Sequence, residues 1–117
     1  MVEREEVFSL YNRHSTTLYV DLECNGEKTA FFMDTGCGYS TIGPEHLEKL
    51  GKSDKDLVRV DGNASVELDV HLKGTVFPLR FDVEDIGANL LGMDVLCSFN
   101  CFLDLKENTL TFREYAD

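Results

Sequence analysis

Asp34 stands at the end of the most apolar segment of the chain. The preceding run, Ala30-Phe31-Phe32-Met33, has no polar alternation, which is typical of a short strand buried on both faces. Thr35 and Gly36 then lead into a short segment rich in small and hydroxyl-bearing residues. A carboxylate can act as a general acid or a general base. Asp34 is therefore the first candidate for acid–base chemistry, with an ordinary turn at Asp34-Thr35-Gly36 as the alternative.

Other residues capable of catalysis or metal binding form weaker patterns. The three histidines lie at a polar segment end, on a predicted helix surface and on the polar phase of a strand: His14, His46 and His71. We expect them to be exposed or satisfied rather than catalytic. A Cys37 nucleophile with a distant histidine is a remote alternative, and a zinc site from Cys97, Cys101 and a distant histidine fits no common spacing. The sequence predicts no metal and no organic cofactor.

The composition indicates one acidic globular domain over residues 1–117. Hydrophobic residues make up 43% of the chain, and 22 acidic against 11 basic residues give a formal net charge of −11. Nucleic acid and anionic membranes bind clustered Lys and Arg, which this chain lacks, so neither is expected as a partner. No segment is long enough to span a membrane, and the first residues lack a signal core. Because the four cysteines form no Cys-x-x-Cys pair, we expect reduced thiols and a cytoplasmic location.

Short strands dominate the pattern of the chain. Residues 15–33 predict two strands joined at Asn25-Gly26, a strong two-residue hairpin signal. Apolar residues alternate with polar ones over 66–72 and again over 77–83, on either side of Lys73-Gly74, which indicates a meander with one buried face. Pro78 falls on the polar phase, so we expect an edge or a bulge there.

Two short helices and a closing hairpin complete the predicted elements. Residues 43–51 predict a brief helix with Pro44 in its first turn and Gly51 at its end, and residues 92–99 predict a second. Residues 100–112 predict two strands around a turn at 106–108, and residues 113–117 a tail or an interface strand. The fold class is therefore mainly antiparallel β, a small barrel with one or two short helices.

Three ordered features of the chain resemble the aspartic proteases of the single-domain, retroviral type, the retropepsins. The sequence from Asp34 to Gly36, after an apolar strand and before Ser40-x-Ile42, resembles their active-site signature. Residues 89–96, NLLGMDVL, resemble their second motif, and residues 58–70, with a turn at 61–64, resemble the flap between the two motifs. The resemblance extends from about residue 17 to residue 112.

The resemblance implies a closed β-barrel that works as a two-fold homodimer. The chain has one Asp-Thr-Gly, so Asp34 of each subunit would supply one of the two catalytic acids. Thr35 would hydrogen-bond across the pair, and Gly36 would allow a close backbone approach. The implied activity is that of an aspartic endopeptidase, in which the paired Asp34 carboxylates activate water against a peptide bond. A monomer should then be inactive.

The same resemblance places an extended peptide substrate between the flap and the active-site loop. The residues expected to bind it are Cys37, Gly38, Tyr39, Val60, Asp61, Gly62, Asn63 and Ala64. Apolar walls suggest hydrophobic residues beside the cleaved bond. Two positions depart from the viral pattern: Cys37 replaces a common Ala or Ser, and Met93-Asp94 stands where the viral enzymes have Arg. Two alternatives are an inactive module that binds peptides or regulates dimerisation, and a monomeric structural domain.

Overall fold

The computed structural model describes residues 3–13 and 17–116, and it is mainly β. Within those residues the strands are β1 (Glu3–Ser9), β2 (Tyr11–Asn12), β3 (Leu18–Cys24), β4 (Glu27–Met33), β5 (Thr41–Ile42), β6 (Val58–Val60), β7 (Asn63–Leu72), β8 (Thr75–Val83), β9 (Leu90–Leu91), β10 (Phe102–Asp104) and β11 (Thr109–Ala116). The same residues contain one α-helix, α1 (Met93–Ser98), and two 3₁₀ turns, Pro44–His46 and Asp54–Asp56. His14 and the first two residues of the predicted first strand lie outside the described residues.

Three two-residue turns join neighbouring strands into hairpins. They are Asn25-Gly26, Asp61-Gly62 and Lys73-Gly74, in which the first residue has φ between 47° and 51° and the glycine φ is 82°. Positive φ at both positions matches the right-handed twist of the flanking strands, and Asn, Asp and Gly tolerate it best. The hairpins predicted at residues 25–26 and 73–74 are confirmed. The flap-like hairpin is present too, but its turn is residues 61–62 and not 61–64, because Asn63 and Ala64 already pair with β6.

The strands form two sheets that share a core. The larger sheet has the order β2-β3-β4-β9-β5-β8-β7-β6, and β3 also pairs with β7, so the sheet curls back on itself. The smaller sheet has the order β1-β11-β10. In β7 the apolar side chains of residues 66, 68, 70 and 72 are fully buried, as the period-two pattern predicted. Leu110 and Phe112 of β11 join the same hydrophobic cluster.

Several predicted elements differ in detail from the observed ones. The segment predicted as a helix at 43–51 is a 3₁₀ turn followed by further turns, because hydrogen bonds to the third preceding carbonyl recur at Leu47, Leu50 and Gly51. The second helix is confirmed as α1. Residues 113–116 are not a tail, since they extend β11 and pair with β1 of the same chain.

Pro78 occupies an edge without a bulge. The β7–β8 register runs unbroken from Ser65 opposite Asp82 to Leu72 opposite Thr75. The second neighbour of β8, β5, pairs only with its last two residues. The missing N–H of proline therefore costs no ladder hydrogen bond on that side. No helix in the described part of the chain is long and apolar enough to cross a membrane.

Candidate active site

Asp34 is mounted on a parallel pair of short strands. In β4 and β9, Phe32 lies opposite Leu90 and Met33 lies opposite Leu91. The Asp34 N–H continues this ladder by donating to the Leu91 carbonyl at 3.1 Å. Leu90 and Leu91 of the second motif thus fix the backbone that leads into the Asp-Thr-Gly motif. The half-buried Asp34 side chain lies at the end of the β4–β9 strand pair.

The residues after Asp34 form a tight turn around its carboxylate. The Gly36 N–H donates to Asp34 Oδ1 at 3.0 Å, and the Cys37 N–H donates to the Asp34 carbonyl at 3.2 Å. Thr35 and Gly36 are exposed. Because an N–H donor holds one carboxylate oxygen, the rotamer of Asp34 is fixed while its other oxygen makes no hydrogen bond within the described residues. The carboxylate is therefore oriented and open on one side.

The first N–H groups of helix α1 donate hydrogen bonds to the loop that follows this turn. The Met93 N–H donates to the Cys37 carbonyl at 2.8 Å, and the Asp94 N–H donates to the Gly38 carbonyl at 3.1 Å. The first N–H groups of a helix have no partner within the helix, so such external acceptors satisfy them. These two backbone hydrogen bonds join the loop to the start of the helix.

Gly92 is the position where the two motifs approach too closely for a side chain. A Cβ on Gly92 would lie 2.8 Å from the Cys37 carbonyl oxygen and 3.0 Å from the Tyr39 carbonyl carbon. At Gly36, by contrast, a Cβ would meet only Asp34 Oδ1, at an ordinary 3.4 Å. Within one chain, then, the close approach that requires glycine is at Gly92. The approach expected at Gly36 concerned a second subunit and stays a prediction.

Asp94 and Ser40 form a hydrogen-bonded clamp between the loop and α1. The Ser40 N–H lies 3.0 Å from both Asp94 carboxylate oxygens, and the Ser40 hydroxyl donates to Asp94 Oδ1 at 2.7 Å. The Ser40 oxygen in turn accepts from the Gly92 N–H at 2.9 Å, and the Val95 N–H donates to Asp94 Oδ1 at 2.7 Å. Ser40 is fully buried. In the sequence Asp94 stood out only as part of a departure from the viral pattern, so its role as an acceptor for Ser40 was missed.

Asn89 is a second supporting residue that the sequence did not reveal. Its side chain accepts from the Gly43 N–H at 2.8 Å and donates to the Ala30 carbonyl at 3.1 Å, while its carbonyl accepts from the Phe32 N–H at 2.8 Å. Asn89 is 6% exposed. It therefore links β4 to the chain that follows β5 in the interior. The only feature of the sequence that pointed to Asn89 was its position at the start of the second motif, residues 89–96.

The predicted flap residues and Thr35 of the active-site loop line different clefts within one chain. Val60 ends β6, residues 61–62 form the turn, and Asn63 and Ala64 begin β7. Residues 62–64 line a cleft of about 430 Å³ together with Arg59 and residues 82–86. No hydrogen bond between described residues joins residues 60–64 to residues 34–39. Tyr39 is 68% exposed and Val60 61%.

A second cleft, of about 330 Å³, opens beside Thr35 and is mostly apolar. Its lining residues are Met33, Thr35, Met93, Leu96, Cys97, Asn100, Cys101, Leu103 and Leu110. Burial raises the pKa of the Cys101 thiol to about 12, with Arg113 acting in the opposite direction.

The Cys37 thiol contacts the Tyr39 carbonyl at 3.0 Å. No group of three metal-ligating side chains occurs within residues 3–13 and 17–116, and the absence of a metal remains a prediction.

Comparison with solved structures places this arrangement among known folds. The chain is similar to a retropepsin-like aspartic protease from Rickettsia conorii, with a TM-score of 0.71, 24% identity and coverage of 97% of this chain and 92% of that one. It is also similar to the retroviral protease-like domain of Ddi1 from Leishmania major, with a TM-score of 0.70, 26% identity and coverage of 86% and 87%. The chain has the retropepsin-like fold. The resemblance carried by Asp34–Gly36 and residues 89–96 is confirmed.

A curated sequence relative agrees with this retropepsin-like assignment. The chain is 29% identical over 117 residues to DNA damage-inducible protein 1 of Eremothecium gossypii, which covers 90% of this chain. The chain spans about a quarter of the length of that relative, 24%. No family model matches the chain. The likeness therefore concerns one part of a longer relative.

Proposed function

We propose that this protein is an aspartic endopeptidase whose two catalytic acids are the Asp34 side chains of a two-fold homodimer. The observation that carries the proposal is the mounting of Asp34. Its carboxylate stands at the end of the β4–β9 pair, one oxygen accepts from the Gly36 N–H, and the side chain is half-buried. A fixed, partly desolvated carboxylate in a retropepsin-like fold is suited to activating water.

A second copy of the chain is required because one acid cannot perform both proton transfers. The chain has a single Asp-Thr-Gly, and a two-fold axis near Asp34 would place the same residue against itself. The apolar cleft beside Thr35, with Met93 38% exposed, is the surface that the partner would cover. The partner subunit's Asp34 then completes the site, and Thr35 lies where a contact across the axis can form.

The proposed reaction is the direct addition of water to a peptide carbonyl. The ionised member of the Asp34 pair takes a proton from water, while the protonated member donates its proton to the carbonyl oxygen. The hydroxide equivalent forms a new C–O bond, giving a tetrahedral gem-diol. The Asp34 that took the proton from water donates it to the peptide nitrogen, while the other Asp34 takes a proton from one hydroxyl of the diol. The C–N bond then breaks, and an acid and an amine are released. The proton count of the pair is restored after one turnover.

The remaining parts of the proposal concern the substrate and the setting. An extended peptide would lie between residues 37–39 and the flap residues 60–64, held through backbone hydrogen bonds. The curl of the larger sheet, which brings β3 against β7, supports a closed barrel, and the shared hydrophobic cluster supports a single domain over residues 1–117. The cytoplasmic location remains a prediction from the cysteines.

Cleavage of a mixed peptide library tests the proposal. The wild type should cleave at a definite sequence, Asp34→Asn should not, and Asp69→Asn should cleave as the wild type does. Asp69 is a matched control because it is an exposed carboxylate of β7 that lies outside the predicted substrate-binding residues 60–64. If the folded, self-associated wild type binds peptides but cleaves none, the endopeptidase proposal fails in favour of a peptide-binding module.

A further inference from the structure

A small pocket beside the first half of β4 is lined by cationic side chains from separate parts of the chain. Its volume is about 180 Å³, and its lining includes Arg13, Lys28, His46 and Lys49. No aspartate or glutamate is among the residues that line it. Acidic residues outnumber basic ones by 22 to 11 in the whole chain, so this cationic pocket has the opposite charge to the protein as a whole.

The fold brings these cations together, because no run of Lys and Arg joins them in the sequence. Arg13 follows β2, Lys28 lies in β4, and His46 and Lys49 lie in the turns that follow β5. The lack of clustered Lys and Arg in the sequence therefore does not extend to the folded chain.

Three of the four cations have no carboxylate partner in the part of the chain that the structure describes. No ion pair there involves Arg13, Lys28 or Lys49, whereas His46 lies 3.5 Å from Glu45. Unpaired like charges that share a small pocket repel one another, and an anion bound between them offsets that repulsion. The pocket therefore favours a negatively charged ligand.

The carboxylates of the neighbouring strand β3 make their contacts elsewhere. Glu23 stands opposite Lys28 in the β3–β4 ladder, yet its carboxylate lies 3.9 Å from His71. Asp21 accepts a hydrogen bond from the Tyr11 hydroxyl. Neither acid lines the cationic pocket, so an anion there meets no carboxylate in the pocket wall.

Arg13 packs on an aromatic ring of the pocket wall. Its guanidinium carbon lies 4.9 Å from the ring centroid of Tyr19, which also lines the pocket. A guanidinium on a ring face keeps its N–H donors at the edges of its plane, where they can bind two oxygens of one anion. Arg13 therefore offers a positioned pair of donors, although its side chain is exposed.

The backbone of β4 supplies a further donor, the Ala30 N–H. In an antiparallel ladder the N–H and C=O groups of alternate residues point away from the partner strand. In β4 these are residues 28, 30 and 32, because the Phe32 N–H and the Ala30 carbonyl bond to Asn89 and not to β3. Strand β9 pairs with β4 only at residues 32 and 33, so the Ala30 N–H has no partner among the described residues. Ala30 and Asn89 both line the pocket, so this N–H points to the pocket side of the strand.

We propose that this cationic pocket binds a phosphate group, whose oxygens accept hydrogen bonds from Arg13, Lys28, Lys49 and the Ala30 N–H. A phosphate monoester carries about 1.5 to 2 negative charges at neutral pH, which suits three unpaired cations better than the single charge of a carboxylate. A volume of about 180 Å³ is below the roughly 300–1,000 Å³ of pockets for drug-sized ligands, so the pocket suits one small group. The net charge of −11 repels an extended polyanion. The inference does not involve Asp34 and stands apart from the proposed peptidase activity.

Isothermal titration calorimetry with inorganic phosphate, at constant ionic strength, tests the pocket. The wild type should bind phosphate saturably and acetate about tenfold more weakly, because acetate has fewer oxygens and less charge. Arg13→Gln and Lys49→Gln should each weaken phosphate binding by about tenfold. Lys55→Gln should not, since Lys55 is an exposed cation of the 3₁₀ turn Asp54–Asp56 and does not line the pocket. No saturable binding, or binding that the two pocket variants leave unchanged, would overturn the inference.

Two further measurements separate the pocket from the active site and identify the source of the phosphate. Asp34→Asn should bind phosphate as the wild type does, whether or not the protein cleaves peptides. A phosphoserine peptide that binds more tightly than inorganic phosphate supports a phosphorylated polypeptide as the ligand, whereas weaker binding supports free phosphate or a small phosphorylated molecule. Phosphate should raise the midpoint of thermal unfolding in the wild type but not in Arg13→Gln. An equal rise in both proteins is a general salt effect and would refute the site.

Discussion

Replacing Asp94 by alanine removes the acceptor that holds the active-site loop against α1. In the native chain its carboxylate accepts from the Ser40 N–H, the Ser40 hydroxyl and the Val95 N–H, at distances between 2.7 and 3.0 Å. Ser40 is fully buried, so removal of the carboxylate leaves both of its donors without their protein acceptor. We expect the variant to lose both stability and the fixed position of Asp34.

The size of the loss follows from these hydrogen bonds. A hydrogen bond to a charged group contributes about 1.5–3 kcal/mol, and an unsatisfied buried donor costs about 1–3 kcal/mol. With two buried Ser40 donors affected, Asp94→Ala should lower the free energy of unfolding by about 3 kcal/mol, a large part of the 5–15 kcal/mol of a typical domain. Asp94→Asn keeps one acceptor oxygen and should lose roughly half as much.

Urea unfolding followed by circular dichroism measures this difference. Asp104→Ala is the control, because Asp104 Oδ1 also accepts from two backbone N–H groups, those of Lys106 and Glu107, but in an exposed turn. It should cost less than about 1 kcal/mol. A double-mutant cycle with Ser40→Ala should give a coupling energy above about 1 kcal/mol between Ser40 and Asp94. A loss for Asp94→Ala no larger than that for Asp104→Ala would refute the reasoning.

Three further predictions follow from the structure. Gly92→Ala should destabilise the chain by about 1–3 kcal/mol in urea unfolding, since its Cβ would lie 2.8 Å from the Cys37 carbonyl oxygen; an unchanged midpoint would contradict this close approach. Burial raises the pKa of Cys24 from 9.0 to about 12, so its contribution to stability is complete below pH 9 and is lost as the pH rises toward 12. Unfolding free energies should therefore fall between pH 8 and pH 10 by less in Cys24→Ala than in the wild type, and equal slopes would count against it. Each subunit carries a net charge of −11, so salt should strengthen the proposed dimer in sedimentation experiments, whereas an assembly indifferent to salt would argue against repulsion.

The hairpins could be predicted because their determinants are local. Turn residues that tolerate positive φ, such as Asn25-Gly26, stand between segments with period-two alternation, and both signals lie within a few residues of each other. The short α1 was predictable for the same reason, from its apolar start after Gly92. The segment at residues 43–51 carried similar helix signals, yet its N–H groups bond mainly to the third preceding carbonyl, so it forms a 3₁₀ turn and further turns instead of an α-helix.

The pairings that place the site could not be read from local patterns. Strand β9 is two residues long, and its parallel pairing with β4 joins residues 58 positions apart, Phe32 with Leu90 and Met33 with Leu91. Strand β1, with the charged sequence EREEVFS, lacks an apolar pattern and is held as a strand by pairing with β11. The clamp of Asp94 on Ser40 depends on backbone donors exposed by the fold, which residue types alone do not display.

Mixing subunits tests most directly whether two Asp34 side chains form one active site. Wild-type protein is combined with Asp34→Asn at constant total concentration, allowed to exchange, and assayed on a cleaved library peptide. If each site needs an Asp34 from both subunits, mixed dimers are inactive and the rate falls with the square of the wild-type fraction. A rate that falls in simple proportion to the wild-type fraction would show that one chain suffices, and it would contradict the shared catalytic pair.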